Sequence, residues 1–149
     1  MKTIKTLFAL VIFFWSASAY AQTDKIVGKW YTVEESGAKK SLVSIYRASD
    51  GTYEGKIEKL LTGDPNRRCV NCTGADKDKP LLGMKIIKRM KADGQKLTGG
   101  TILDPNNGKI YNCTISYDQK SGKLKMKGSL DKTGLLGRTQ IWEPAGLVN

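Results

Sequence analysis

The sequence has 149 residues, a formal net charge of +11 and no histidine. A chain of this length corresponds to one domain. The lack of histidine removes the commonest general base and the commonest metal ligand, so we expect a non-enzymatic protein without a cofactor or a metal site. The positive charge favours anionic partners, such as acidic lipids or polysaccharides of a cell envelope, through a non-specific field.

The first element is an export signal over residues 1–21. Two lysines open it, Leu7–Trp15 is an uninterrupted apolar run, and an Ala-x-Ala pattern precedes the expected cut after Ala21. The apolar run is much shorter than the ~20 residues that span a membrane. We therefore expect a cleaved signal, no transmembrane segment and a single domain over residues 22–149.

The remaining chain consists of short runs separated by Gly, Asp or Asn, a pattern typical of β-sandwiches and barrels. Apolar and polar residues alternate within the runs, which indicates antiparallel strands with one buried face. Short links favour an all-β, up-and-down meander, and eight strands suffice to close a barrel. The eight predicted strands are Gly28–Glu34, Ser41–Ala48, Thr52–Leu60, Gly83–Lys91, Lys96–Leu103, Lys109–Tyr117, Lys123–Leu130 and Leu135–Trp142.

The link between the fifth and sixth predicted strands has the clearest turn chemistry. Asp104 can cap the turn with its carboxylate and Pro105 presets φ, while Asn107 and Gly108 tolerate a positive φ. The sequence therefore predicts a β-hairpin at this point.

One long loop, Leu61–Leu82, lies between the third and fourth predicted strands and contains Cys69 and Cys72. Loops of this length are usually functional or disordered. The pair can form a local disulfide, a Cys-x-x-Cys redox site or, with Cys113, a three-thiolate metal site; alternatively Cys72 bridges to Cys113. Chain entropy gives about 2 kcal/mol for the local bridge and about 4 kcal/mol for the long one. The local bridge requires less of the fold, and an exported chain oxidises adjacent thiols readily.

The two ends of the predicted barrel carry a first resemblance. Gly28-Lys29-Trp30 on the first strand, with Arg138 on the last, resembles the lipocalin and fatty-acid-binding-protein superfamily. The resemblance implies that a basic residue from the far end of the chain packs on the tryptophan, an interaction that contributes about 0.5–2 kcal/mol. Gly28, Trp30 and Arg138 would then close the barrel and have no catalytic role.

A longer resemblance covers about Ile26 to Trp142. Its motifs include Ile26–Trp30, Tyr53–Ile57, Lys79–Met84, Leu103–Tyr111 and Leu136–Trp142. The chain is similar to the exported bacterial family known as domain of unknown function 2147. The resemblance implies no established activity, and the bacterial membership implies the Gram-negative periplasm or the outside of the cell.

The expected function is binding of a small apolar or amphipathic ligand inside the barrel. Small eight-stranded barrels either hold one such ligand or are filled by their own side chains. Aromatic and methionine side chains suit an adaptable pocket and equally suit a packed core. The candidates for the lining are Trp30, Tyr46, Tyr53, Met84, Met90, Tyr111 and Met126.

Two other functions stay open. A cell-envelope interaction module would use basic faces around a filled core, and its lysines would form one patch on a single side of the barrel. A thiol redox or metal site at Cys69 and Cys72 is the lesser alternative. Nucleic acid is not an expected partner, because export separates the protein from it and no aromatic residues interleave with the lysines of the seventh strand.

Overall fold

The computed structural model describes residues 23–131 and 137–146. The predicted export signal, residues 1–21, lies outside the described residues. The elements are β1 (Gly28–Val33), β2 (Lys39–Arg47), β3 (Tyr53–Leu60), a short 3-10 helix (Gly74–Asp76), β4 (Lys85–Asp93), β5 (Lys96–Asp104), β6 (Lys109–Asp118), β7 (Lys123–Ser129) and β8 (Gly137–Pro144).

The eight strands form one closed antiparallel barrel in which each strand pairs with its neighbour along the chain, and β8 returns to β1. The predicted all-β, up-and-down, eight-stranded barrel is therefore confirmed. The strands lie close to their predicted positions because the Gly and Asp turns between them bound each run. The largest differences are of two residues: β4 is shifted to Lys85–Asp93 at both ends, β2 begins at Lys39, and β8 extends through Pro144.

The interior of the barrel is filled by the inward-facing side chains of the strands. A side chain without exposed surface has no water-sized gap beside it, and several members of this core are wholly buried. They are Val43, Ile87, Met90, Leu97, Ile115 and Leu124, each 0% exposed. Most of the interior is thus a packed core, which is one of the two states open to a barrel of this size.

The barrel has two different ends. At the tryptophan end, the Trp30 indole nitrogen donates a hydrogen bond to the Ile26 carbonyl oxygen at 2.8 Å, and the Trp30 ring meets the edge of Tyr117 with centroids 6.3 Å apart. The opposite end carries the cysteine loop (residues 61–84) and the turn between β5 and β6. The segment 23–27 and Trp30 therefore cover one end, and the cysteine loop belongs to the other.

The cysteine loop is held by a Cys69–Cys72 disulfide and lies against the outer wall of the barrel. Ile87 of β4 pairs with Ile102 of β5 and with Gly55 of β3. A Cβ on Gly55 would lie against the Ile87 side chain, so Ile87 and Ile102 point into the interior. Their neighbours Ile86 and Leu103 consequently point outward, yet both are buried. We infer that the loop covers these two outward side chains.

Polar contacts agree with this position of the loop. Lys88, on the outer face of β4, forms an ion pair with Asp76 of the loop at 3.1 Å. The Asn71 side-chain amide donates to the Asn106 carbonyl oxygen of the β5–β6 turn at 2.7 Å. The cysteine loop is thus fixed to both the wall and the end of the barrel.

The β5–β6 turn uses its residues as follows. The Asp104 carboxylate accepts a hydrogen bond from the Asn106 amide at 2.9 Å, and Gly108 has φ +70°. The Asn107 side chain accepts from the Lys109 amide and donates to the Tyr111 hydroxyl. Pro105 lies between these caps, with its carbonyl oxygen 3.7 Å from the Cys69 sulfur.

Candidate functional site

Most residues expected to line a ligand cavity belong to the packed core. Trp30, Tyr53, Met90 and Met126 are inward-facing strand residues with exposures of 7% or less. Met84 precedes β4 and is also buried, and its carbonyl oxygen accepts a hydrogen bond from the Ile57 amide at 3.0 Å. The structure therefore gives these residues neighbours from the protein itself where a cavity lining would need free space.

Tyr46 lies on the outer surface and not in the interior. Its strand neighbour Ile45 is 1% exposed and occupies the inner face, so alternation directs Tyr46 outward. The Tyr46 hydroxyl donates to Glu54 at 2.8 Å, and Lys85 pairs with the same carboxylate at 2.8 Å. Burial, and then the hydrogen bond to Glu54, raises the pKa of Tyr46, whereas hydrogen bonds from Lys85 and Tyr46 lower the pKa of Glu54.

The cysteines do not form a shared thiol site. Cys69 and Cys72 form the local disulfide, and Cys113 is a free, buried thiol. The alternative bridge from Cys72 to Cys113 is not formed, because Cys113 faces the barrel interior beside Gly100 and Gly128 while the loop lies outside.

Cys113 is expected to be unreactive in the folded protein. Burial raises the pKa of its thiol to about 12, and only the thiolate attacks disulfide reagents. At neutral pH, Ellman's reagent should therefore titrate no thiol rapidly in the native protein, one after denaturation, and three after denaturation and reduction. A rapid native reaction would contradict the buried position, and more than one thiol without reduction would contradict the disulfide.

The seam between β1 and β8 is paired over a short length. Among the described residues of these strands, the pairs are Trp30 with Pro144 and Tyr31 with Glu143. On its other side β8 pairs with β7 from Trp142 down to Gly137. In the part of the chain that the structure describes, β1 forms no strand pair with Gly137–Trp142, although Glu35 of the β1–β2 turn contacts Arg138 there.

Two polar side chains of β8 face inward within the stretch Gly137–Trp142. Arg138 pairs with Gly128, and Gln140 pairs with Met126, whose side chain lies in the core. Directly paired residues point to the same side of a sheet. Arg138 and Gln140 are nevertheless exposed, and they lie toward the end of the barrel that carries the β1–β2 turn.

Gly128 forms the floor of the space next to these side chains. A Cβ at Gly128 would lie 3.4 Å from the Tyr111 Cβ and 3.8 Å from a methyl carbon of Ile102, so both side chains border it. Tyr111 and Ile102 are half-buried, unlike the core residues further inside. We name this region the seam cleft: Ile102, Tyr111, Gly128, Arg138 and Gln140.

The seam cleft combines apolar walls with a polar rim. On the β1 side, the Thr32 and Ser41 hydroxyl oxygens are 2.8 Å apart and extend the polar lining. The Gln140 side-chain oxygen accepts a hydrogen bond from the Trp142 indole at 3.3 Å. Such a cleft can hold an apolar group against Tyr111 and an anionic or polar group at the rim.

Arg138 does not pack on Trp30 as the first resemblance implied. Trp30 pairs with Pro144, six residues from Arg138 on β8, which corresponds to about 20 Å along the strand. Arg138 instead donates to Glu35 at 2.9 Å, and the two side chains are 69% and 88% exposed. An ion pair this exposed contributes about 0–1 kcal/mol, so an anionic ligand can replace Glu35 at little cost. Gly28 lies near the Trp30 indole nitrogen, at the other end of the seam.

Two shallow depressions, of about 400 and 380 Å³, lie on the outer wall on either side of Leu82 and Gly83. Lysines border the larger one, but Lys88 and Lys79 both pair with Asp76. The positive charge there is already balanced in part, and the depressions open broadly to solvent. The seam cleft is for this reason the better candidate site.

The sequence identified two members of the seam cleft: Tyr111 as a candidate for the ligand lining, and Arg138 as a residue that closes the barrel. Ile102, Gly128 and Gln140 were not predicted. The alternation of β8 carries a signal for the last of these, because Arg138 and Gln140 share a face with Trp142. Two polar residues on the inner face of a strand indicate an opening in a barrel.

Within residues 23–131 and 137–146, no helix has the length and apolar character needed to cross a membrane.

The comparisons with known proteins identify the fold and the family. Protein HP1028 from Helicobacter pylori, described as belonging to the lipocalin family, is similar in structure with a TM-score of 0.69 and 20% sequence identity, over 79% of this chain and 81% of that chain. This similarity shows a lipocalin-like fold. No curated protein matches the sequence. A family model matches residues 28–144, and the chain therefore belongs to the family described as "Uncharacterized protein conserved in bacteria (DUF2147)".

Proposed function

We propose that the protein is an exported, non-enzymatic binder of a small amphipathic molecule with an anionic head group, and that the seam cleft is its binding site. The observation that supports the proposal is the exposure of the inward-facing residues Arg138 and Gln140 beside the short β1–β8 seam. The basic, apolar and Ala-x-Ala segments of residues 1–21 support export, to the periplasm or beyond.

The chemistry of the cleft supports this class of ligand. Arg138 offers a planar guanidinium that forms charge-assisted hydrogen bonds to carboxylates, sulfonates or phosphates. Tyr111 on β6 and Ile102 on β5 provide an apolar surface one and two strands away from Gly128 of β7. The ligand would occupy the rim and the outer part of the interior, because the deeper core is filled.

A fluorescent sulfonate, 1-anilinonaphthalene-8-sulfonate, is a suitable probe because it combines an anionic group with apolar rings. We expect it to bind the native protein and to change the fluorescence of Trp142, which contacts Gln140. Arg138→Gln should weaken binding about tenfold, because it removes one hydrogen bond to a charged group.

Lys127→Gln is the matched control, since it removes one positive charge from the adjacent strand but from the outer face. Binding that falls equally in both variants would reject the seam cleft as the site. Native mass spectrometry of protein from its own host then tests the function itself, and a co-purified amphiphile that Arg138→Gln loses would identify the ligand.

A further inference from the structure

On one part of the outer surface of the barrel, the neutralised side, several lysines pair with carboxylates, although Lys56 and Lys59 on β3 have no carboxylate of the described residues within 4.0 Å. Lysines on β1, β2 and the start of β4 have carboxylate partners within 3.0 Å. These ion pairs are Lys29–Glu58, Lys40–Glu34 and Lys85–Glu54. Each of these ion pairs cancels the positive charge of its lysine.

On β5 to β7, Lys123 pairs with Glu143 at 3.1 Å, but other lysines of these strands have no such partner. Lys96, Lys125 and Lys127 have no carboxylate oxygen of the described residues within 4.0 Å of their ammonium groups. Their cross-strand neighbours are mainly hydroxyl residues. Ser116 lies between Lys96 and Lys125, and Lys127 lies between Thr114 and Thr139. We name this surface the lysine face: Lys96, Thr114, Ser116, Lys125, Lys127 and Thr139.

Two acids lie at the border of the lysine face. Asp93 is the cross-strand neighbour of Lys96 at the end of β4. Asp118 caps the β6–β7 turn, where its carboxylate accepts hydrogen bonds from the Lys120 amide and the Ser121 hydroxyl. Lys125 helps to lower the pKa of Asp118, so these acids compensate part of the charge of Lys96 and Lys125, and Lys127 lies farther from both acids.

The arrangement suits a surface of repeated anionic groups. Lys125 and Lys127 are about 7 Å apart along β7, and Lys96 lies about 10 Å from Lys125 across two strands. Ile141, 39% exposed, is the cross-strand neighbour of Lys125. A phospholipid bilayer offers phosphates to lysine and hydroxyl groups and an apolar boundary to an isoleucine, whereas a polysaccharide offers no such boundary.

We propose that the lysine face docks the protein on an anionic phospholipid surface, with Ile141 entering the headgroup region. The lysine face points away from the interior, on the opposite side of β8 from Arg138 and Gln140 of the seam cleft. This role is independent of the ligand proposed for the cleft.

Co-sedimentation with vesicles tests the proposal. Phosphatidylcholine vesicles should retain little protein, and vesicles that also contain phosphatidylglycerol should retain much more, with retention falling as salt is added. The triple variant Lys96→Gln, Lys125→Gln, Lys127→Gln should bind the anionic vesicles on the order of a hundredfold more weakly, at roughly fivefold for each lysine.

The matched control is the triple variant Lys29→Gln, Lys40→Gln, Lys85→Gln. It removes three positive charges from the neutralised side and leaves the rest of the sequence unchanged. The affinity of this control variant for anionic vesicles should fall no more than a few-fold. Circular dichroism checks that all variants are folded. An equal loss in both triple variants would overturn the proposal, because net charge alone would then account for binding. Retention on an anionic polysaccharide but not on anionic vesicles would overturn it as well.

Discussion

Replacing Gly108 by alanine is expected to destabilise the protein by about 3 kcal/mol. Gly108 has φ +70°, a region that costs a residue with a Cβ about 1–2 kcal/mol. A Cβ there would also overlap the Asn71 carbonyl oxygen of the cysteine loop. Because that atom belongs to the backbone, the loop and the turn must move apart, at an additional cost of about 1–3 kcal/mol.

Gly122→Ala is a matched control for this prediction. Gly122 occupies the same position in the β6–β7 turn, with φ +69° and an amide that donates to Asp118, as Gly108 donates to Asp104. The nearest atom to a Cβ at Gly122 is the Tyr117 hydroxyl oxygen at 3.6 Å, so strain is its main effect.

Urea unfolding of both variants measures the difference, and hydrogen exchange of the cysteine loop should accelerate in Gly108→Ala alone. Equal losses of stability would show that the loop does not depend on its contact with the β5–β6 turn.

Gly100→Ala is expected to have a similarly large effect, about 2–3 kcal/mol, from within the barrel wall. A Cβ at Gly100 would overlap the Lys88 carbonyl oxygen and would lie 2.7 Å from the Met90 amide nitrogen. These atoms belong to an irregular part of β4, where Arg89 has φ +57° and the register with β3 shifts. An alanine therefore has to push two strands apart.

Gly128→Ala serves as the control for Gly100→Ala. It is also an inward-facing strand glycine, but its nearest neighbour is the Tyr111 Cβ at 3.4 Å, an ordinary contact. The free energy of unfolding of Gly128→Ala, measured by thermal or urea unfolding, should fall by less than about 1 kcal/mol. A stability of Gly100→Ala close to that of Gly128→Ala would contradict the tight approach of β4 and β5.

The fold was predictable because local signals agree along the whole chain. Asp-Gly and Ser-Gly turns bound each strand, and alternation such as Val43 and Ile45 against their polar neighbours fixes the faces. Each strand then pairs with the next one, so no long-range pairing had to be guessed except the closure between β1 and β8. The Cys69–Cys72 disulfide was the favoured one of four alternatives for the cysteines, because a bridge between neighbours in the sequence depends least on the fold.

The candidate site was less predictable, because it depends on where regular pairing stops. Composition selected aromatic and methionine residues, but a methionine such as Met90 has the same signature in a core as in a pocket. Tyr46 was predicted to line the interior because its side chain is aromatic. The alternation of β2 instead directs it to the outer surface. Gln140 was missed although the alternation of β8 places it on the inner face with Arg138 and Trp142, because a polar residue was not sought among the lining residues.

The short β1–β8 seam also has a kinetic consequence. Seven of the eight strand pairings join neighbours along the chain, whereas Trp30 and Pro144 must meet across almost the whole domain. Contacts between distant residues carry the largest loop-closure cost, so we expect this closure to form late in folding. This pairing also has the fewest hydrogen bonds between strands. We therefore expect the seam to open locally on a faster timescale than the whole barrel unfolds. Each such opening would widen the path to the seam cleft, and the rate of ligand exchange would then be set by the barrel wall.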